Sequence, residues 1–251
     1  MTDLHSLTYS LFPTDNAFEI PTLRLDMQPD KVDVPFLAYG EQGRKTDLGG
    51  YGSMHFYVDD YRFNAVFDKP STIIDANPRN IVEPNFSCYV ETPIAVGMQQ
   101  IYRKRAVARY CQDHGIRVFV DLNVNHKFYK VNMLGVPKGY AAFATRGYSD
   151  RLEYLEFEYN IAKEWAEDNP LTFLIYGGGA RCKDFALKHG CCYLTPWVKM
   201  KTRQKAIERI REEVALFPSD NLILPNISQL LDYSGENNKK NDVITCCTPN
   251  S

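Results

Sequence analysis

Short apolar runs recur along this chain, and each breaks off at polar or turn-forming residues. His55-Phe56-Tyr57-Val58 ends at Asp59-Asp60, Val118-Phe119-Val120 ends at Asp121, and the run 171–176 ends at Gly177-Gly178-Gly179. Runs of this length, bounded by turn formers, read as strands buried on both faces, which is the pattern of parallel sheets. Stretches with helical spacing lie between them. Residues 93–113 carry Tyr102, Ala106, Tyr110 and Val107, Cys111 as apolar stripes, with Arg105, Arg109 and Gln112 opposite and Gly115 placed to end the helix. Ser149 stands where it can cap a helix whose apolar stripe is Leu152, Leu155, Tyr159, Ala162 and Ala166. Asn169-Pro170 breaks that helix, and a shorter one runs to Lys188 before Gly190.

Five or six βα units in succession imply a parallel sheet, because parallel neighbours need helical crossovers. Strand number alone does not separate a barrel from an open sheet. The reading favours an α/β fold of the TIM-like, incomplete-barrel kind over an open doubly wound sheet. Residues 1–50, interrupted by Pro13, Pro21, Pro29 and Pro35, read as an extended N-terminal arm. Residues 51–232 form a single α/β domain, closing with a helix that Thr202 caps and that turns Ile207, Ile210, Val214 and Phe217 inward. The polar stretch 233–251 lacks apolar periodicity and reads as a disordered tail.

Net charge is only -2, so a nucleic-acid surface would have to be a local basic patch. No apolar run approaches the roughly 18 residues that span a bilayer, and the start Met1-Thr2-Asp3 lacks a signal-peptide pattern. The expectation is a soluble, cytoplasmic protein with no membrane partner and reduced thiols. Its seven cysteines include the adjacent pairs Cys191-Cys192 and Cys246-Cys247, which lack the spacing of a zinc site.

In either parallel architecture the ligand site lies beyond the carboxyl ends of the strands. That rule selects Asp59, Asp60, Glu83, Asn85, Ser87, Asp121, Asn123, Asn125, Thr145, Arg146 and Tyr176. Side chains alternate along a strand, so Asp59 and Asp60 cannot share a face, and one of them points into a site or caps the next helix. Gathered carboxylates suit a divalent cation such as magnesium, with Asp59 and Asp121 as ligands, or a division of acid and base roles. Asp and Asn after a strand also serve as plain caps and turns. His55 is a candidate acid or base beside those acids, and Arg105 a candidate to neutralise developing charge. Tyr176, Gly177, Gly178 and Arg181 form a turn that can cradle an anion, although neither dinucleotide nor P-loop spacing is present. Arg103, Lys104, Arg105 and Arg109, next to Tyr102, form the densest basic cluster, and Lys199, Lys201, Arg203 and Lys205 a second. Such clusters suit a nucleic-acid backbone, or else pair with the strand-end acids.

The segment His55-Phe56-x-x-Asp59-Asp60-Tyr61-Arg62-Phe63 carries a resemblance, together with 83–87 followed by Thr92-Pro93, the Tyr102-Arg103-x-Arg105 helix with Gln112 and Gly115, and 135–139. Over roughly residues 17–180 the chain resembles an uncharacterised family of bacterial and phage proteins catalogued as a domain of unknown function. The resemblance implies a phage or mobile-element setting, and hence the host cytoplasm, with nucleic acid or a host protein as partner. Three functional classes stay open. One is a carboxylate- or metal-dependent hydrolase or transferase acting on a phosphate- or glycosyl-bearing substrate such as nucleic acid. The others are a non-catalytic binding module and a virion or assembly component.

Overall fold

The computed structural model describes residue 7 and residues 12–40 and 48–196. The expected last helix, the second basic cluster and the polar tail lie outside the described residues. Seven strands form one sheet: β1 (Phe36–Ala38), β2 (Ser53–His55), β3 (Asn80–Val82), β4 (Arg117–Asp121), β5 (Ala142–Arg146), β6 (Thr172–Tyr176) and β7 (Cys192–Leu194). Every pair is parallel, and spatial order equals sequence order. Five helices occupy the crossovers: α1 (Ser71–Asp75), α2 (Ile94–Asp113), α3 (Tyr129–Asn132), α4 (Leu152–Ala166) and α5 (Gly179–His189). The strands are apolar on both faces because helices cover the outside, as the buried Val118, Phe119 and Val120 of β4 illustrate.

The sheet is curled into a half-barrel, and the aromatic rings show it. His55 on β2 and Tyr176 on β6 have ring centroids 4.5 Å apart, and Phe36 on β1 lies 5.8 Å from the same tyrosine. Four strand spacings separate β2 from β6, about 19 Å in a flat sheet. Only curvature brings those rings together across the concave face. The incomplete-barrel expectation over an open doubly wound sheet is met.

The Pro-broken N-terminal segment supplies β1, a three-residue strand at the end of the sheet, where a preceding proline is tolerated. The rest of this segment is held by α2. Gln112 accepts from the Arg24 amide at 2.7 Å and donates to the Arg24 and Met27 carbonyls. Arg109 donates to the Thr22 carbonyl at 2.8 Å. A segment without its own ladder needs such partners for its backbone.

Gly135 fixes the same segment from the other side. Its carbonyl accepts from Leu23 N at 2.8 Å, its φ is 71°, and an added Cβ would sit 2.1 Å from the Pro21 carbonyl oxygen. Gly135→Ala is therefore expected to cost about 1–3 kcal/mol in chemical denaturation, because neither backbone can give way easily. An unchanged midpoint would mean that the segment is not docked there.

Two helices differ from expectation. In α2 the expected Ala106, Val107 and Cys111 are buried, but so are Lys104, Arg105 and Gln112, so the stripe read as opposite to the apolar one lies largely inside as well. Tyr102 and Tyr110 are only partly buried. In α4 the first helical residue is Leu152 and no side chain caps it, while the expected cap Ser149 instead offers its carbonyl to Arg181 at 2.7 Å.

Candidate active site at the barrel mouth

The loops after β2, β3, β4 and β5 surround a cavity of about 630 Å³ at the carboxyl end of the sheet. The volume is that of a small-molecule site. Of the residues selected by the strand-end rule, Asp59, Asp60, Asn85, Ser87, Asn123, Asn125 and Arg146 line it. Asp60 is tied down, accepting from the Ser87 amide at 3.0 Å and the Ser87 hydroxyl at 2.9 Å, which joins the β2 and β3 loops. Asp59 is exposed and precedes a short 3-10 turn that its side chain does not cap. Four tyrosines, Tyr61, Tyr89, Tyr148 and Tyr154, add aromatic surface to the cavity.

Glu83 and Asp121 are at the same end of the molecule but sit outside the cavity lining, fully buried. Arg105 donates to Glu83 Oε1 and to the Asn132 carbonyl. Lys104 Nζ donates to the Asp121 carbonyl at 2.8 Å and lies 3.5 Å from Asp121 Oδ2 and 3.8 Å from Glu83 Oε2. Glu83 Oε2 accepts from the Asp121 amide, and Tyr57 donates to Asp121 Oδ1 at 3.0 Å. Two acids and two bases thus share one dry cluster, in which each charge has an opposite partner. Burial lifts the Asp121 carboxyl above its ordinary range, and the Lys104 charge pulls it back.

This arrangement engages Asp121 inside the protein rather than in the cavity lining beside Asp59. Asp121 has its oxygens committed to Tyr57, Lys104 and the Asn123 amide. Among the described residues no three His, Cys, Asp or Glu side chains gather in a way that could hold a metal ion. It also removes Lys104 and Arg105 from any contact with a nucleic-acid backbone, since both are buried. Arg103 lies over the Phe86 ring at 4.0 Å and donates to the Asn64 carbonyl, while Arg109 pairs with Asp113 besides holding Thr22. The basic helix is a scaffold inside the fold rather than a basic face.

His55 belongs to the aromatic column of the concave face. Its ring stacks on Phe36 at 4.6 Å and its Nδ1 accepts from the Tyr57 amide. Burial, with the Arg146 charge adding to it, drives its pKa down to about 3, so the imidazole is neutral at physiological pH. Tyr176, the first residue of the proposed anion turn, caps this column, stacking on Tyr57 at 5.5 Å. Of the glycines that follow, Gly178 is required by packing, since a Cβ there would lie 2.3 Å from Cys182 Sγ and 2.7 Å from the Gly147 backbone, while Gly177 and Gly179 hold φ of 80° and 75°. Arg181 is engaged with Ser149.

Glu158 escaped the sequence reading, as did Tyr89, Tyr148, Arg151 and Tyr154 in the same lining. Glu158 lies on α4 in the buried row Leu155, Glu158, Ala162, Ala166, and it lines the cavity. Thr145 donates to its Oε2 at 2.7 Å. Burial raises its pKa well above the ordinary carboxylate range, the Thr145 hydrogen bond opposing and the Asp121 charge adding. The signal was present in the sequence, because an acid at a core position of an amphipathic helix breaks the pattern.

Across the cavity wall, Arg146 and Arg151 both approach Tyr148, their guanidinium carbons 5.6 and 5.7 Å from its ring centroid. Among the described residues Arg146 makes no ion pair, and the exposed Arg151 pairs only with its neighbour Asp150. No helix among the described residues is long and apolar enough to cross a membrane.

Comparison with known proteins gives a family and no mechanism. A family model described as a domain of unknown function, DUF4417, matches residues 12–190. The chain is similar to the Gene 1 protein of Mycobacterium phage L5, with 27% identity over 193 residues, covering 74% of this chain and 82% of that protein. It is similar also to the Gene 1 protein of Mycobacterium phage D29, with 27% identity over 196 residues, covering 74% of this chain and 70% of the relative. No solved structure matches.

Proposed function

The chain belongs to the DUF4417 family, and from that premise we propose that it is a phage or mobile-element enzyme, a carboxylate-dependent hydrolase or transferase acting on a glycosyl-bearing substrate at the barrel mouth. The observation that carries this reading is Glu158, a buried acid whose burial favours the protonated form, in the wall of a cavity that also presents the exposed carboxylate of Asp59. One buried and one exposed carboxyl group facing the same cavity are the usual basis of acid and base roles in one site. Glu158 donates its proton to the leaving atom as the glycosidic bond breaks. Asp59 takes the proton from the attacking water, or from an acceptor hydroxyl, whose oxygen bonds to the sugar carbon. The amides of Asn85 and Asn123 and the tyrosine rings suit a polyhydroxylated ligand with an apolar face.

The test is a panel of glycosides, nucleosides and sugar phosphates offered to the purified protein. Turnover in the wild type should fall about a hundredfold in Asp59→Asn with an unchanged melting temperature. Equal rates in the two proteins would remove Asp59 from the chemistry, and binding without turnover across the panel would make the cavity a ligand-sensing site.

A further inference from the structure

We infer that the substrate is a small glycosyl compound carrying a single phosphate, held by Arg146 and Arg151, and not a polynucleotide. The inference rests on the glycosyl reading above and names the substrate class. Guanidinium groups match phosphate oxygens with two parallel donors, and an arginine with no ion-pair partner keeps its full charge for a ligand. Arg146 is in that state among the described residues, at the end of β5, and Arg151 follows five positions later in the loop leading to α4. Tyr148 between them gives both guanidinium groups a ring to lie against, which narrows the directions in which they can point.

The rest of the lining restricts the ligand to one phosphate. Asp59, Asp60 and Glu91 come from the loops after β2 and β3, whereas both arginines come from the loop after β5. The cavity is therefore basic on one side and acidic on the other. A strand of nucleic acid threaded across it would set its next phosphates against those carboxylates, and like charges at close range repel. A monophosphate places its charge on the arginines and its hydroxyls against the acids, which accept hydrogen bonds from them. The same polarity excludes a neutral sugar as the best ligand, since it would leave the guanidinium groups unused.

The full-length chain should be titrated calorimetrically with ribose, ribose 5-phosphate, glucuronate and a short single-stranded oligonucleotide. Ribose 5-phosphate is expected to bind at least tenfold more tightly than ribose, glucuronate and the oligonucleotide. Arg146→Ala should weaken ribose 5-phosphate at least tenfold, and Arg146→Ala with Arg151→Ala should abolish the preference over ribose. Both side chains are exposed, so the variants should keep the wild-type melting temperature. Equal affinity for ribose and ribose 5-phosphate, or undiminished binding in the double variant, overturns the phosphate assignment. Tighter binding of glucuronate would assign the arginines to a carboxylate instead, and tighter binding of the oligonucleotide would return the cavity to nucleic acid. These outcomes concern affinity alone, so failure of Glu158 or Asp59 as catalytic groups is read separately from turnover.

Discussion

Glu83→Ala is expected to destabilise the protein by about 3–5 kcal/mol, the cost of stranding a buried charge. For a chain of this size that corresponds to a melting-temperature drop on the order of 10 °C. Arg105 is fully buried, its Nε lacks a hydrogen-bond partner, and among the described residues Glu83 is the only carboxylate that pairs with its guanidinium. Lys104 keeps Asp121, but loses the second acid 3.8 Å away. Glu83→Gln preserves the shape and one acceptor and should cost less than the alanine variant. The double variant Glu83→Leu with Arg105→Met removes both charges together and should recover most of the loss, because a packed apolar pair needs no desolvation. Thermal or urea denaturation of the four proteins gives the comparison. A loss below about 1 kcal/mol for Glu83→Ala would mean that water reaches the cluster.

Glu158→Gln is expected to lower turnover about 10²–10⁴-fold and to become more stable relative to the wild type as pH rises. Unfolded, Glu158 gives up its proton near its ordinary value of 4.5, whereas in the folded chain burial keeps the proton on to higher pH. Its contribution to stability is therefore fully present below that ordinary value and is lost as pH rises from there through the raised folded value. Glutamine has no proton to lose, and its amide oxygen can still accept from Thr145. Melting curves of both proteins between about pH 4 and pH 8 should show the gap moving in favour of the variant across that window. An acid that is needed for turnover and costs stability as its proton is drawn off shows the trade between stability and activity expected of a functional acid. Wild-type rates in the variant, or a gap that stays constant with pH, would return Glu158 to an ordinary buried side chain.

Most strands were legible because burial on both faces leaves an uninterrupted apolar run, and 171–176 maps onto β6 almost residue for residue; but of the run His55–Val58 only His55 lies in a strand, and β1 was read as part of an extended arm. The closure of the sheet was legible only as a choice between two forms. What decides it is contact between Phe36, His55 and Tyr176, and nothing in their spacing along the chain reports that they meet. The strand-end rule found the rim of the cavity. Pairing of the α2 cations with the strand-end acids was one of the two readings of the basic cluster, and it is the one realised: Arg105 pairs with Glu83, and Lys104 lies between Glu83 and Asp121. What the pattern did not report is that these pairs are buried, because it equates charge with solvent. Glu158 was lost for the same reason: once a helix is read for its apolar stripe, an acid within that stripe passes as an irregularity.

Every strand pairs with the one made just before it. A nascent chain can therefore lay down this sheet in the order the ribosome releases it, each βα unit docking on a finished neighbour without waiting for distant sequence. The column at Tyr176 is the exception, for its partners Phe36 and His55 were synthesised more than a hundred residues earlier. Until β6 emerges, one ring face of His55 has no cover, so the concave floor beneath the cavity is completed only late in translation.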